Sequence, residues 1–387
     1  MRILIISRGV PSKRYPQWGC FEKDQAETLA KIGHEVIVVS FDGRFKLFRG
    51  HPGLHKTTNN GVIYFNFVAL PESIFHKTIG FFTYWNKYKI PVYQRIINKI
   101  IKKYWKPDII YSHFFWCTAI GTRIKENFNI PLVGIEHWSK FNENTISSTN
   151  DSLARIAFNG VDKLISVSQP LSNNLKKKYG VESTVIHNMF GPEFGLSKNP
   201  ISFEKSPSTL RFISTASLIK RKGFDMLIDA MKKVNSPKEK WQLDIIGDGE
   251  ERAALQQQIE DAGLQDRIHL LGRMNKEKIV GELKKSHVFV LPSRNENFSV
   301  AVLEALSLGL PVIATICGGI RECINENNGL LVPVDDSDAM AAAIDEMIAN
   351  YNSYDRLGIA KSCEEQFSPE AIAKELTKVF ESVVKKG

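Results

Sequence analysis

Short apolar runs alternate with helical patterns along the whole chain. Residues 2–7 are a strand-like apolar run, 18–32 read as a helix ended by Gly33, and 35–40 are apolar again. This strand–helix–strand opening has the doubly wound pattern. Residues 41–60 read as a polar, basic loop, and 62–67 alternate as a strand. The runs Pro107-Asp108-Ile109-Ile110-Tyr111-Ser112-His113 and Pro131-Leu132-Val133-Gly134-Ile135-Glu136-His137-Trp138 are strands with polar ends. Residues 162–167 are another strand, and Ser168-Gln169-Pro170 is a helix start. Val185-Ile186-His187-Asn188 closes the first half.

Residues 188–208 lack periodicity and read as a linker; 210–216 open a second set of strands. Strand-to-turn exits follow at Leu243-Asp244-Ile245-Ile246-Gly247-Asp248-Gly249-Glu250 and at 268–274, and helices at 276–285, 336–349 and 369–385. The densest stretch is 287–322. Val288-Phe289-Val290-Leu291 is a buried strand and Ser293-Arg294-Asn295-Glu296-Asn297-Phe298-Ser299 a polar turn. A helix from near Phe298 ends at Gly309, and Pro311-Val312-Ile313-Ala314 is the next strand, followed by Gly318-Gly319. Two carboxylates flank the turn. Glu296 precedes the helix, and Glu304 lies about six residues inside it, roughly 9 Å along its axis. The amides of Phe298, Ser299 and Val300 lie between, at the positive end of the helix dipole, where a phosphate or diphosphate is accepted.

Composition narrows the class. A chain of 387 residues with 43% hydrophobic and 24% charged content is a soluble globular protein of two expected domains. No apolar run reaches the ~18 residues that cross a bilayer, and 2–6 is too short for a signal segment. Five scattered cysteines (Cys20, Cys117, Cys317, Cys323, Cys363) without C-x-x-C spacing suit reduced thiols in a cytoplasmic protein. Charge is uneven. Residues 1–187 hold 26 Lys and Arg against 13 Asp and Glu, and residues 188–387 hold 25 against 29. The first half is therefore the one expected to meet an anionic partner. Within it, residues 77–106 carry Lys77, Lys87, Lys89, Arg95, Lys99, Lys102, Lys103 and Lys106, no acid, and eight interleaved aromatics, with Pro91 expected to break the segment into two helices. Such a segment suits peripheral contact with an anionic membrane, or else one core stripe and one solvated face. No nucleic-acid motif accompanies the charge. A G-x-G-x-x-G loop is absent, against a dinucleotide oxidoreductase.

The combination Pro292-Ser293, Glu296-x7-Glu304-Ala305, Gly309-Leu310-Pro311-Val312-Ile313-Ala314, Gly318-Gly319 and Glu322 resembles retaining glycosyltransferases of family 4, which have the GT-B fold. The resemblance implies an α/β chain of two Rossmann-like parallel-sheet domains facing across a cleft. These are an acceptor-side domain over 1–188, with the tail 369–387 packing back on it, and a nucleotide-sugar domain over 209–368. It implies glycosyl transfer with retention from a nucleoside-diphosphate sugar, such as a UDP- or GDP-sugar, to a glycan acceptor. The acceptor is expected to be lipid-linked, at the cytoplasmic membrane face and in surface polysaccharide biosynthesis.

The same resemblance assigns roles. Lys222 grips the diphosphate, with Asn297, Phe298, Ser299 and Val300 at the helix start. Glu296 binds sugar hydroxyls, Glu304 the ribose, and His137 positions the donor sugar. Gly247, Arg273 and Met274 line the nucleotide site, and Gly19 stands at the family's glycine-rich turn. Ser217 occupies the place of a family arginine, which Lys220 or Arg221 could supply. No metal and no other cofactor are implied. Three alternatives stay open: a sugar-nucleotide epimerase, a synthase with a soluble acceptor, and a non-catalytic nucleotide-sugar-binding protein.

Overall fold

The computed structural model describes residues 1–11, 18–43, 52–69, 79–143, 145–200 and 207–385. Pro16, the middle of the 41–60 loop, Lys77, part of the 188–208 stretch and the last two residues of the tail lie outside them. The chain divides into two compact units, Met1–Ile186 with Ala373–Gly387, and His187–Ile372.

The first unit holds β1 (Arg2–Ser7), α1 (Cys20–Lys31), β2 (Glu35–Asp42), β3 (Gly53–Asn59), β4 (Val62–Val68), α2 (Ile90–Lys103), β5 (Ile109–His113) and α3 (Phe114–Phe128). It continues with β6 (Leu132–Glu136), α4 (Ser148–Gly160), β7 (Lys163–Ser166), α5 (Gln169–Tyr179) and β8 (Thr184–Val185). Sheet order is β3-β4-β2-β1-β5-β6-β7-β8. The described pairs are parallel except β3 with β4. The central strands are apolar on both faces because helices cover both: Ile3, Leu4, Ile37, Ile109 and Val133 are fully buried. The order reverses between β1 and β5, so their exits flank the crevice where ligands bind in such sheets.

Two expectations change here. Residues 53–59 are a strand, not loop. Its exposed polar sequence GLHKTTN hides it from hydropathy, and Asn60-Gly61, both at positive φ, turn it into β4. Pro91 does not break the basic segment. A helical turn Phe81–Tyr84 runs through a π-turn Trp85–Lys89 into α2, and Pro91 sits in the first turn of α2. The missing Pro91 N–H falls where the hydrogen-bond ladder has already shifted register. The aromatics also divide. Tyr84, Trp85 and Tyr93 are core, whereas Phe82 and Tyr88 face solvent beside exposed Lys87, Arg95, Lys99, Lys102 and Lys103.

The second unit holds β9 (Leu210–Thr215), α6 (Phe224–Lys233), β10 (Trp241–Ile246), α7 (Arg252–Asp261), β11 (Ile268–Gly272), α8 (Lys276–Lys284) and β12 (Val288–Leu291). Then come α9 (Val300–Ser307), β13 (Val312–Thr315), β14 (Gly329–Val332), α10 (Ser337–Asn350) and α11 (Arg356–Phe367). The sheet is parallel, in order β11-β10-β9-β12-β13-β14. Its reversal lies between β9 and β12. The segment read as a linker from 188 belongs to this unit. The Phe190 amide donates to the Phe367 carbonyl, and the Asn188 side chain to the Phe298 carbonyl at 3.0 Å. The last helix, α12 (Pro369–Val384), crosses into the first unit. There Phe380 packs on Tyr111 at 5.0 Å and Thr377 bonds His34 at 2.9 Å.

Candidate active site

In the second unit, the loops leaving β9 and β12 meet at the sheet reversal. Residues Lys220–Lys222 form a 3-10 turn, closed by Gly223 at φ 69. A Cβ on Gly223 would lie 2.0 Å from the Pro292 carbonyl oxygen, so only glycine lets the two loops touch. The contact is then sewn by backbone. The Arg294 amide donates to the Arg221 carbonyl at 2.8 Å, and Arg221 Nη1 to the Asn295 carbonyl at 2.6 Å. Arg294 also clamps Asp225, in the first turn of α6, at 2.8 Å. These bonds fix Lys222 and Glu296 side by side. Lys222 Nζ pairs with Glu296 Oε1, Ser293 Oγ donates to the same oxygen at 2.8 Å, and Arg221 Nη1 lies 3.9 Å from Oε2. Both members of the Lys222–Glu296 pair are largely buried.

The Gly318-Gly319 step after β13 carries this turn from beneath. The Gly319 amide donates to the Asn297 carbonyl at 2.8 Å. Gly318, at φ 55, approaches Glu296 so closely that a Cβ would sit 1.8 Å from its carbonyl oxygen. Asn297, Phe298 and Ser299 are buried, and α9 begins at Val300. The Ser299 side chain makes no capping hydrogen bond, so it does not occupy the amides at the positive end of α9. Glu304 lies half-buried on α9 itself. Cys317 borders Glu296. Burial, then that charge, pushes its thiol up to about 11, so it stays protonated at neutral pH.

The remaining expected residues of this unit are spread along the strand exits. Gly247 follows β10, and its amide donates to the Gly272 carbonyl at 3.0 Å. Arg273 and Met274 follow β11, the first exposed and the second half-buried. Ser217 is exposed; Lys220 turns to Asp225 at 2.7 Å, which leaves Arg221 as the second cation beside Glu296.

In the first unit, the exits of β1, β5 and β6 form a second cluster. The His137 ring stacks parallel on His113 at 5.5 Å and tilts on Phe114 at 5.0 Å. Phe114 holds φ 65, an uncommon value for a bulky residue and a local strain. Arg8 lies over the Phe114 ring at 3.7 Å and donates to buried Glu22 at 2.8 Å. His113 is fully buried, neither ring nitrogen has a hydrogen-bond partner among the described residues, and burial pushes its pKa down to about 3. Gly19 caps α1 at φ 77. Sequence reasoning did not single out Arg8 or Glu22, and it quoted Ser293 only as part of a motif, without its bond to Glu296. A lone arginine ending a strand gave no signal of the fully buried acid that it pairs with.

The matches to known proteins follow this geometry. Residues 23–194 match the family described as Glycosyltransferase Family 4, and residues 198–362 match Glycosyl transferases group 1. The chain belongs to the family 4 glycosyltransferases. It is 22% identical over 391 residues to a phosphatidylinositol N-acetylglucosaminyltransferase subunit from Arabidopsis thaliana, covering all of this chain and 83% of that one. Sucrose-phosphate synthase from Thermosynechococcus elongatus superposes with TM-score 0.79 at 19% identity, over 100% of both chains. HepE from Anabaena in complex with UDP superposes with TM-score 0.73 at 19% identity, over 99% of this chain and 100% of that one. This family 4 glycosyltransferase thus has the GT-B fold, with two Rossmann-like parallel-sheet units. No helix among the described residues is long and apolar enough to cross a membrane.

Proposed function

We propose that the enzyme transfers a glycosyl unit, with retention of configuration, from a nucleoside-diphosphate sugar to a lipid-linked glycan acceptor. The observation that carries the donor half is the Lys222–Glu296 pair beside the uncapped start of α9, at the reversal of the second sheet. The diphosphate displaces Glu296 from Lys222, and its oxygens take the amides of Phe298–Val300. Glu296, freed from the cation, accepts hydroxyl hydrogen bonds from the donor sugar, while Glu304 accepts those of the ribose. Lys222, Arg221 and the helix end face the charge that builds on the leaving diphosphate. That positive charge does the work a divalent ion would do, so transfer proceeds without metal. His137 positions the donor sugar. HepE, a GT-B neighbour, was solved with UDP, which fits a nucleotide donor.

The acceptor half rests on the exposed Ile79, Phe82 and Tyr88 beside the basic face of α2, and on the relative named for phosphatidylinositol. The same fold in a sucrose-phosphate synthase keeps a soluble acceptor as the second reading.

Two substitutions test the donor half. Glu304→Ala is expected to weaken nucleotide binding about tenfold by calorimetry, the cost of one or two hydroxyl hydrogen bonds. Glu296→Gln is expected to lower kcat at least as much, about tenfold to a hundredfold, with nucleotide affinity little changed. Unchanged affinity in the first and unchanged kcat in the second remove the assignment.

A further inference from the structure

Glu136 ends β6 and is 1% exposed, a carboxylate inside the first unit. Its Oε1 accepts from the amides of His137 and Trp138, each at 2.8 Å, and its Oε2 from the Phe115 amide at 2.9 Å. The first two amides form the loop that carries His137. The third belongs to the first turn of α3, whose N-cap residue His113 makes no side-chain capping bond. One side chain thus caps a helix, shapes the next loop and joins them. The His137 ring lies against His113 and Phe114, the two residues where β5 passes into α3. We propose that Glu136 is the positioning residue for His137, its carboxylate fixing the loop and the helix start between which that ring is held. This rests on the reading of His137 as a donor-sugar contact.

The arrangement is sensitive to protonation. Burial raises the Glu136 pKa to about 7, against the pull of its three amide donors and of Arg8. The groups facing it are Arg8 beyond β1, Cys117 on α3, Tyr179 on α5 and the adjacent His137. A proton on Oε1 would oppose two amides and a proton on Oε2 only one, so Oε2 takes it and the Phe115 amide loses its acceptor. The brace is therefore complete above neutrality and opens below it. The glutamine variant fails in the same way at every pH, because its NH2 group must face at least one amide donor.

The test uses the whole chain and whichever of UDP-glucose, UDP-N-acetylglucosamine or GDP-mannose raises its melting temperature most. Turnover of that donor is followed from pH 5.5 to 8.5. In Glu136→Gln, kcat is expected to drop about tenfold to a hundredfold, the scale of a small misplacement at a reacting centre. The donor KM stays within about twofold and the acid limb near neutrality disappears. Adding His137→Ala costs little more, because the two substitutions remove one arrangement. A kcat within about twofold of wild type, or losses that simply add, overturns the proposal. If His137→Ala alone leaves kcat unchanged, the reading of His137 falls and the proposal with it. If His137→Ala abolishes turnover but Glu136→Gln does not, only the proposal falls. Should the glutamine variant not fold, hydrogen exchange on the wild type decides. Protection factors at Phe115 are expected to drop between pH 8 and 6; constant protection overturns the idea.

Discussion

His113 is a histidine that cannot act as an acid or a base at neutral pH. It is fully buried, its ring nitrogens lack hydrogen-bond partners among the described residues, and its pKa is pushed down to about 3. The unfolded chain protonates this ring near pH 6.5 and the folded protein does not, so its contribution to stability is present above 6.5 and is lost as pH drops toward 3. At pH 5 that loss is about 2 kcal/mol for this one ring. His113→Phe keeps an aromatic between Tyr111 and His137 and removes the titration. Urea melts at pH 7.5 and pH 5 are expected to separate less in the variant than in wild type, by about 2 kcal/mol. Equal separation would discard the account. The sequence placed His113 and His137 at strand ends, since apolar runs closed by polar residues are visible in one dimension. It could not reveal that the two rings stack 5.5 Å apart, because that depends on β5 and β6 being neighbours in the sheet.

At the level of elements, the turn at 293–299 is a loop held by other loops. Gly318 sits under it at φ 55 with no room for a Cβ. Gly318→Ala is expected to destabilise the protein by about 1–3 kcal/mol, and to weaken nucleotide binding as the turn lifts. A chemical melt and a calorimetric titration read the two effects, and a variant indistinguishable from wild type in both would refute the packing argument. The helix α2 makes a second case. Its inner face is Tyr93, Ile96, Ile97 and Ile100; Arg95, Lys99, Lys102 and Lys103 are exposed. Reversing Lys99, Lys102 and Lys103 to glutamate is expected to abolish flotation with anionic liposomes at low salt, since each basic residue near such a surface contributes about 1 kcal/mol. Wild-type protein that stays at the bottom of the gradient excludes the membrane reading outright. The amphipathic pattern was legible from residue order. The passage through a π-turn at 85–89 was not, because proline reads locally as a break.

For the whole molecule, two parallel sheets each bring their loops to a reversal of strand order, and the chain returns through α12 to the unit in which it began. The positive charge at the turn 293–299 comes from Lys222, Arg221 and a helix end, so the proposed function predicts that activity survives incubation with excess chelator. A loss restored by magnesium or manganese would contradict that.

Residue order by itself determined the alternation of buried strands and helices, the spacing of Glu296 and Glu304 around a helix start, and the glycines at 318–319. Each is set by periodicity or by chemistry within a few residues. Tertiary structure alone decided that Lys222 meets Glu296 across 74 positions, that Arg8 meets Glu22 inside the first unit, and that Glu136 reaches the Phe115 amide 21 positions away. Those pairings depend on which strands lie side by side, and strand neighbours are chosen by the packing of the whole sheet, not by the sequence at either partner.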